Sequence, residues 1–172
     1  MRSVVLSVAI SLDGYVARPD GSVDFLVMDP EIDFAALFGR FDVTILGRKT
    51  YGESMKQGGG ATPGIAGYVF SRSLPPGKRD GVEFVSGPPA ELVAELKGRS
   101  GKDIWLMGGG ELTREFLKAD LIDEIELTVM PTLLGAGIPL FPGGFEERKF
   151  RFGGHKLYPS TGIVGLTYLR AR

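Results

Sequence analysis

The chain has no cysteine and a single histidine among 172 residues. Without cysteine there is no disulfide framework, no thiolate nucleophile and no thiolate metal site. With His155 as the sole imidazole, a histidine-rich metal site is ruled out, and a Ser-His-Asp triad would depend on that one residue. No apolar run is long enough to cross a bilayer. The net charge of −1 provides no basic field for a nucleic acid. The opening stretch "MRSVVLSVAISLDGYVAR" meets Asp13 early and alternates in part, so it reads as a first strand rather than a signal peptide. The expected setting is cytoplasmic, with neither membrane nor nucleic acid as partner. The motif Gly-Lys-Ser/Thr of a P-loop is also missing, as is a complete G-x-G-x-x-G fingerprint.

Glycine is what the chain has in excess: 26 residues, several at the ends of apolar runs, where backbone must turn sharply or approach a ligand. The length fits one domain, residues 1–172. Residues 3–10, "SVVLSVAI", read as a strand buried on both faces. Asp13-Gly14 and Asp20-Gly21 mark turns. Residues 31–41 place Ile32, Ala35, Ala36 and Phe38 on one helical face, with Pro30 at the start. "DVTIL" (42–46) is a strand that ends at Gly47, and "RKTYGESM" opens a helix. "QGGGATPGIAG" (57–67) reads as a mobile loop. "YVFS" (68–71) is a strand, "SLPPGKRDG" a loop and "VEFVSG" (82–87) another strand. Residues 89–98 form an amphipathic helix with Leu92, Val93 and Leu96 inward. "IWLM" (104–107) is a buried strand, and 111–119 a helix with Leu112, Phe116 and Leu117 inward. "DEIELTVMP" alternates, the pattern of a half-exposed antiparallel strand. The C-terminal segment reads as two strands around "YPSTG". The class is therefore α/β, with a mostly parallel sheet and antiparallel strands at one edge.

Three junctions carry unusual chemistry. In "ILGRKTYGE" a strand ends at Gly47 and a helix opens with Arg48, Lys49 and Thr50. A helix start offers unpaired N–H groups to an anion, and two cations strengthen that; the competing reading is a solvated basic turn capped by Thr50. In "MGGGELTRE" Thr113 stands where a third fingerprint glycine would be. Gly108, Gly109 and Gly110 nevertheless let backbone N–H groups approach a pyrophosphate. In "VFSRS" Ser71 and Arg72 follow a strand, and an arginine there can pair with a ribose 2′-phosphate, though a surface arginine is the ordinary reading. All three fall at C-terminal ends of parallel strands, where open α/β sheets bind ligands. Together they suggest a dinucleotide, with the basic residues favouring NADPH over NADH.

These residues carry a resemblance. "SVAISLDGYVA", "ILGRKTYGE", "IWLMGGGELTREFL" and "LIDEIELTVMPTLLGAGIPLF" occur in the order of the dihydrofolate reductase superfamily. More closely, they resemble its RibD C-terminal family, the reductase domain of riboflavin-biosynthesis proteins and its stand-alone members. The resemblance implies a dihydrofolate reductase-like three-layer α/β/α fold, with antiparallel strands at the C-terminal end of the sheet. It implies that Gly108, Gly109, Gly110, Glu111 and Leu112 wrap the NADPH pyrophosphate. Gly47, Arg48, Lys49 and Thr50 would hold the phosphates and adenosine half, with Ser71 and Arg72 near the 2′-phosphate. Ala9 and Ile10 would meet the nicotinamide carboxamide through backbone groups. The reaction implied is hydride transfer from NADPH to a C=N or C=O carbon of a pterin- or pyrimidine-type heterocycle.

For catalysis, folate reductases use a carboxylate on the first helix; Asp33, or Glu31, falls near that place. Asp13, in "SLDG", is a family landmark that shapes the loop or contacts substrate. Riboflavin-type enzymes usually carry a lysine two residues after that aspartate, where this chain has Tyr15. Trp105 reads as core, and His155 as a structural residue preceding the final hairpin. "LLGAGIPLF" (133–141) corresponds to a region near a two-fold contact in relatives, which implies a homodimer. The alternative to a reductase is a non-catalytic NADPH-binding dimer with a regulatory role.

Overall fold

The computed structural model describes residues 1–59 and 61–171. Its strands are β1 (Val4–Ile10), β2 (Tyr15–Ala17), β3 (Phe41–Gly47), β4 (Ala66–Phe70), β5 (Gly77–Arg79), β6 (Val82–Val85), β7 (Asp103–Gly108), β8 (Glu124–Val129), β9 (Ile138–Pro139), β10 (Phe150–Tyr158) and β11 (Ile163–Arg170). Its helices are α1 (Phe34–Gly39), α2 (Arg48–Lys56), α3 (Pro89–Lys97) and α4 (Gly110–Lys118). Nine strands form one sheet in the order β10-β11-β8-β1-β7-β3-β4-β6-β5. The six from β8 to β6 are parallel, and antiparallel pairings add β11 and β10 at one edge and β5 at the other. β2 and β9 make a separate small ribbon.

Residue alternation sorts the helices into two layers. Val43, Ile45, Ile104 and Leu106 point to one face, where they pack with Val93 and Leu96 of α3 and Leu112, Phe116 and Leu117 of α4. Leu46, Val69, Val82 and Phe84 point to the other face and meet Tyr51 of α2. Phe38 of α1 lies on that second face, against the Trp105 ring. Connection handedness explains the arrangement. The chain moves one way along the sheet through α1 and α2 and the opposite way through α3 and α4. Right-handed crossovers then place the two pairs on opposite faces.

Several expectations need correction. Helix α1 starts at Phe34, not near Pro30. Asp33 caps it by accepting the Ala36 amide at 2.9 Å, and Asp29 organises the preceding residues as a turn. Ala35 and Ala36 are exposed; Phe38 packs at a tilt against Trp105, and Ile32 packs under the loop with Phe25 and Met130. Strand β8 is parallel to β1 and antiparallel only to β11. Its alternation does not mark a solvent face: Glu124 and Glu126 are paired with Arg40, at 2.6 and 2.7 Å. The segment read as the loop "SLPPGKRDG" contains β5, which joins β6 through Asp80 and Gly81. Both turn residues have positive φ (50° and 79°), as a type I′ hairpin requires. β4 begins at Ala66, inside the stretch read as a mobile loop; Gly60 of that stretch lies outside the described residues. His155 is not ahead of the final hairpin but within β10, exposed, with its ring beside Phe152.

The centre of the sheet opens at its C-terminal end. β1 pairs with β7 only over Val4–Leu6, while its pairing with β8 continues to Ile10. Past Leu106, β7 follows β3, with Leu46 opposite Gly108. The two strands part at the place where the connections leave in opposite directions, the switch point at which α/β sheets bind ligands.

Candidate active site

Strands β3, β4 and β7 are neighbours, so their C-terminal turns form one continuous surface. A Cβ on Gly47 would lie 3.8 Å from the Gly108 carbonyl, and one on Gly109 would lie 2.9 Å from Thr50 Oγ1. Arg48 donates to Ser73 Oγ at 2.8 Å, and Arg72 reaches Glu111 at 3.4 Å. The three segments singled out in the sequence therefore meet, although the third leads into a turn and hairpin rather than a helix.

The electrostatics at the start of α2 are those of an anion site. Helix α2 begins at Gly47 with no side-chain cap and no acidic residue in its first turn. Its first two residues are Arg48 and Lys49, the wrong sign for the positive end of a helix dipole. Lys49 is exposed and makes no ion pair among the described residues. Helix α4 follows Gly109, again without a side-chain cap, and carries Glu111 in its first turn. First-turn N–H groups of both helices thus lack side-chain acceptors.

The glycines of "MGGG" have separate tasks. Gly108 and Gly109 hold φ of +91° and +76°, values that carry a strain penalty for residues with a Cβ. Gly110 instead permits close packing, because a Cβ there would come within 2.4 Å of the Pro139 carbonyl. Leu112 has its side chain in the core cluster, so only its backbone faces the helix start. Ser71 is buried, and its hydroxyl oxygen accepts the Leu74 amide at 3.0 Å and the Ser73 amide at 3.3 Å, shaping the turn that presents Arg72.

At the opening between β1 and β7, backbone direction distinguishes Ala9 from Ile10. The carbonyls of Val4 and Ile10 accept amides of Asp123 and Met130 on the β8 side. The Ser3 carbonyl accepts the Ile104 amide, and the Ser7 carbonyl accepts the Trp105 indole N–H at 2.8 Å, both on the β7 side. Strand alternation therefore turns the N–H and C=O of Ala9 toward the opening, while the Ile10 carbonyl is engaged with Met130. Trp105 is a half-buried wall residue between Phe38 and Phe41.

The two aspartates have other partners. Asp13 accepts the Ser11 hydroxyl at 2.6 Å and the amides of Leu134 and Gly135 at 3.1 and 2.8 Å. The Ser11 hydroxyl, with those amides, holds its pKa down to about 2. A carboxylate so held ties two loops together and is a poor proton donor. Asp33 is exposed and spends one oxygen on its helix cap.

Sequence reasoning missed two polar residues. Asp29 is 2% exposed and accepts hydroxyls of Thr161 (2.6 Å) and Ser160 (2.7 Å) and the Glu31 amide. The Thr161 hydroxyl leads in lowering its pKa. Its partners lie 131 and 132 residues away, so no local pattern marks it. Thr113, noted only as the residue that breaks a fingerprint, is fully buried, and its hydroxyl has no hydrogen-bond partner among the described residues.

This geometry has known counterparts. The RibD C-terminal domain model matches residues 78–163. The uncharacterised protein YwjB of Bacillus subtilis (strain 168) is 39% identical across 99% of both chains. The crystal structure of a putative riboflavin biosynthesis protein from Shewanella sp. PV-4 superposes with a TM-score of 0.85 at 32% identity, covering 100% of each chain. Dihydrofolate reductase from Enterococcus faecalis, complexed with NADP(H), shares the fold at a TM-score of 0.68 and 18% identity, over 99% of this chain and 97% of its own. The present chain belongs to the RibD C-terminal domain family.

Proposed function

We propose that the chain is an NADPH-dependent reductase acting on a pterin- or pyrimidine-type heterocycle. One observation carries the reading: three strand ends bring Arg48, Lys49 and Arg72 together around two uncapped helix starts and the Gly108-Gly109 turn. Cations at the start of α2 oppose its dipole, and a bound phosphate would offset that cost. The absence of a side chain at Gly109 supports a close approach of the group to this turn, because a Cβ there would crowd Thr50 Oγ1 at 2.9 Å. The likeness to a putative riboflavin biosynthesis protein and to a dihydrofolate reductase supports the reaction class.

In this reading the amides of Gly109, Gly110, Glu111 and Leu112 receive the pyrophosphate, with Gly47, Lys49 and Thr50 on its adenosine side. Arg48 lies with them on that side, and Arg72, on the Ser71 turn, binds the 2′-phosphate. Ala9, beside Ile10, offers its backbone N–H and C=O to the carboxamide end of the cofactor. When bound, the cofactor supplies a hydride. The chain's own contribution is to orient the ring at the opening between β1 and β7 and to keep water from one side of it. Asp13 fixes the adjoining loop. Asp33 caps the helix that forms one wall.

The chain acts in the cytoplasm as a homodimer in this reading. Leu12, Leu133, Ile138 and Phe141 supply the exposed apolar residues such a contact needs.

Titration of the protein with NADPH and NADH, followed by cofactor fluorescence, tests the proposal. Selective NADPH binding, with oxidation on addition of a dihydropterin or an aminopyrimidine, is expected. Absence of binding at millimolar cofactor would leave the glycine turns as architecture. The second reading, a non-catalytic NADPH-binding dimer with a regulatory role, is favoured by the engagement of both aspartates in loop and cap bonds. Tight binding without turnover across a substrate panel would select it.

A further inference from the structure

Thr113 lies in the first turns of α4, and its hydroxyl is a buried polar atom without a partner among the described residues. Its amide donates to the Gly109 carbonyl at 2.9 Å, as an α-helix requires, but the side chain makes no hydrogen bond. Burying a hydroxyl unpaired costs folding free energy. The location is specific. The position a Gly108 side chain would take is 3.2 Å from Thr113 Oγ1, 3.8 Å from Leu6 Cδ1 and 3.9 Å from Val8 Cγ1. That point is the floor of the opening, where β7 leaves β1: Leu6 is the last β1 residue paired with β7, and Val8 is past the split. The other two side chains nearest that point, Leu6 and Val8, are apolar.

We propose that Thr113 is a positioning residue for the cofactor: its hydroxyl hydrogen-bonds the carboxamide-bearing ring end of NADPH at the inner end of the split. The proposal rests on the reading of the site given above. A carboxamide carries both donor and acceptor atoms, and a hydroxyl can answer either. Ala9 offers backbone groups from the β1 side of the same opening, so Thr113 supplies the facing contact from α4. The unpaired hydroxyl is then a cost of the free protein that ligand binding removes, which makes binding favour the ring-inserted state.

The test uses the full chain and two variants, Thr113→Val and Thr113→Ser, with NADPH and 2′-phospho-ADP-ribose, which lacks the ring, as probes. Thr113→Val keeps the shape and removes the hydroxyl. Its affinity for NADPH is expected to fall about fivefold, the range of one neutral hydrogen bond. Its affinity for 2′-phospho-ADP-ribose is expected to stay within twofold, and Thr113→Ser to bind both as the parent does. In the absence of cofactor, the melting temperature of Thr113→Val is expected to equal or exceed that of the parent. Unchanged NADPH affinity in Thr113→Val, or equal losses on both probes, would overturn the assignment. A melting temperature several degrees lower would also overturn it, because the hydroxyl would then have an internal partner. If the parent chain binds neither probe, the reading of the site fails first. If the parent binds and the valine variant binds equally well, only the role of Thr113 fails.

Discussion

At the residue scale, the site depends on two glycines that hold backbone other residues avoid. Gly109, at φ +76°, also abuts Thr50 Oγ1. Gly109→Ala is expected to cost about 1–3 kcal/mol of stability, because φ +76° with ψ +139° is backbone essentially reserved for glycine and the added Cβ would come within 2.9 Å of Thr50 Oγ1. Gly109→Asp adds a carboxylate where the pyrophosphate is proposed to lie, and should weaken NADPH binding by about a hundredfold or more, beyond the alanine variant. Titration of both variants, with circular dichroism to establish folding, checks this; an aspartate variant that binds as well as the alanine variant would remove the phosphate from this turn. Arg72 offers a complementary test. Its ion pair with Glu111 is exposed on both sides, so Arg72→Ala should change stability by less than about 0.5 kcal/mol. Its effect should fall on the ratio of NADPH to NADH affinity, which is expected to drop toward one; a ratio that holds would place the 2′-phosphate elsewhere. These residues were legible in the sequence because their signal is local: a strand, a glycine turn, a charged helix start. Asp29 and Thr113 were not. The importance of Asp29 lies in hydroxyls contributed by the distant β10–β11 turn, and that of Thr113 in what surrounds it after folding.

At the element scale, the long apolar strands and the amphipathic helices α3 and α4 were readable because burial imposes a period on them. The elements missed were short. β2, β5 and β9 span two or three residues, too few for alternation to register, and they exist because a partner strand is within reach. The direction of β8 was misread for an electrostatic reason. Arg40 satisfies Glu124, Glu126 and Asp103 together, so charged residues occupy a covered face and imitate solvent exposure. Helix α1 was drawn too long because its start is set by one side chain. Asp33 accepts the Ala36 amide and has a direct consequence. Asp33→Ala should cost about 1 kcal/mol, whereas Asp33→Asn, an equally good cap, should restore most of it. Chemical denaturation of the two variants measures this. If Asp33→Asn keeps the parent's stability but loses turnover, the carboxylate has a role beyond the cap.

At the scale of the whole molecule, the residues around the opening of the sheet are held by carboxylates that tie distant segments together. Asp13 joins residues 11–14 to 134–135, and Asp29 joins the loop before α1 to the β10–β11 turn. Both are held below the usual carboxylate range, Asp13 at about 2. The sign follows from linkage: a group with a depressed folded pKa adds stability above its unfolded pKa, near 4, and loses it as pH falls through the folded value. Glu126 works in the opposite sense. Burial raises its pKa despite Arg40, so its folded form takes up a proton first and gains stability as pH falls toward its unfolded value. The stability profile should therefore be flat or slightly rising from neutral to about pH 5, then fall below about pH 4. Asp29→Asn separates the contributions. It should be less stable than the parent at neutral pH, because an amide accepts fewer hydrogen bonds than a carboxylate, and should lose less as pH falls below about 4. Urea midpoints across that range decide it. If the acid limb of Asp29→Asn runs parallel to that of the parent, the acid sensitivity comes from other carboxylates, and the loop beside the site is held by packing of Phe25, Met130 and Ile163 rather than by Asp29.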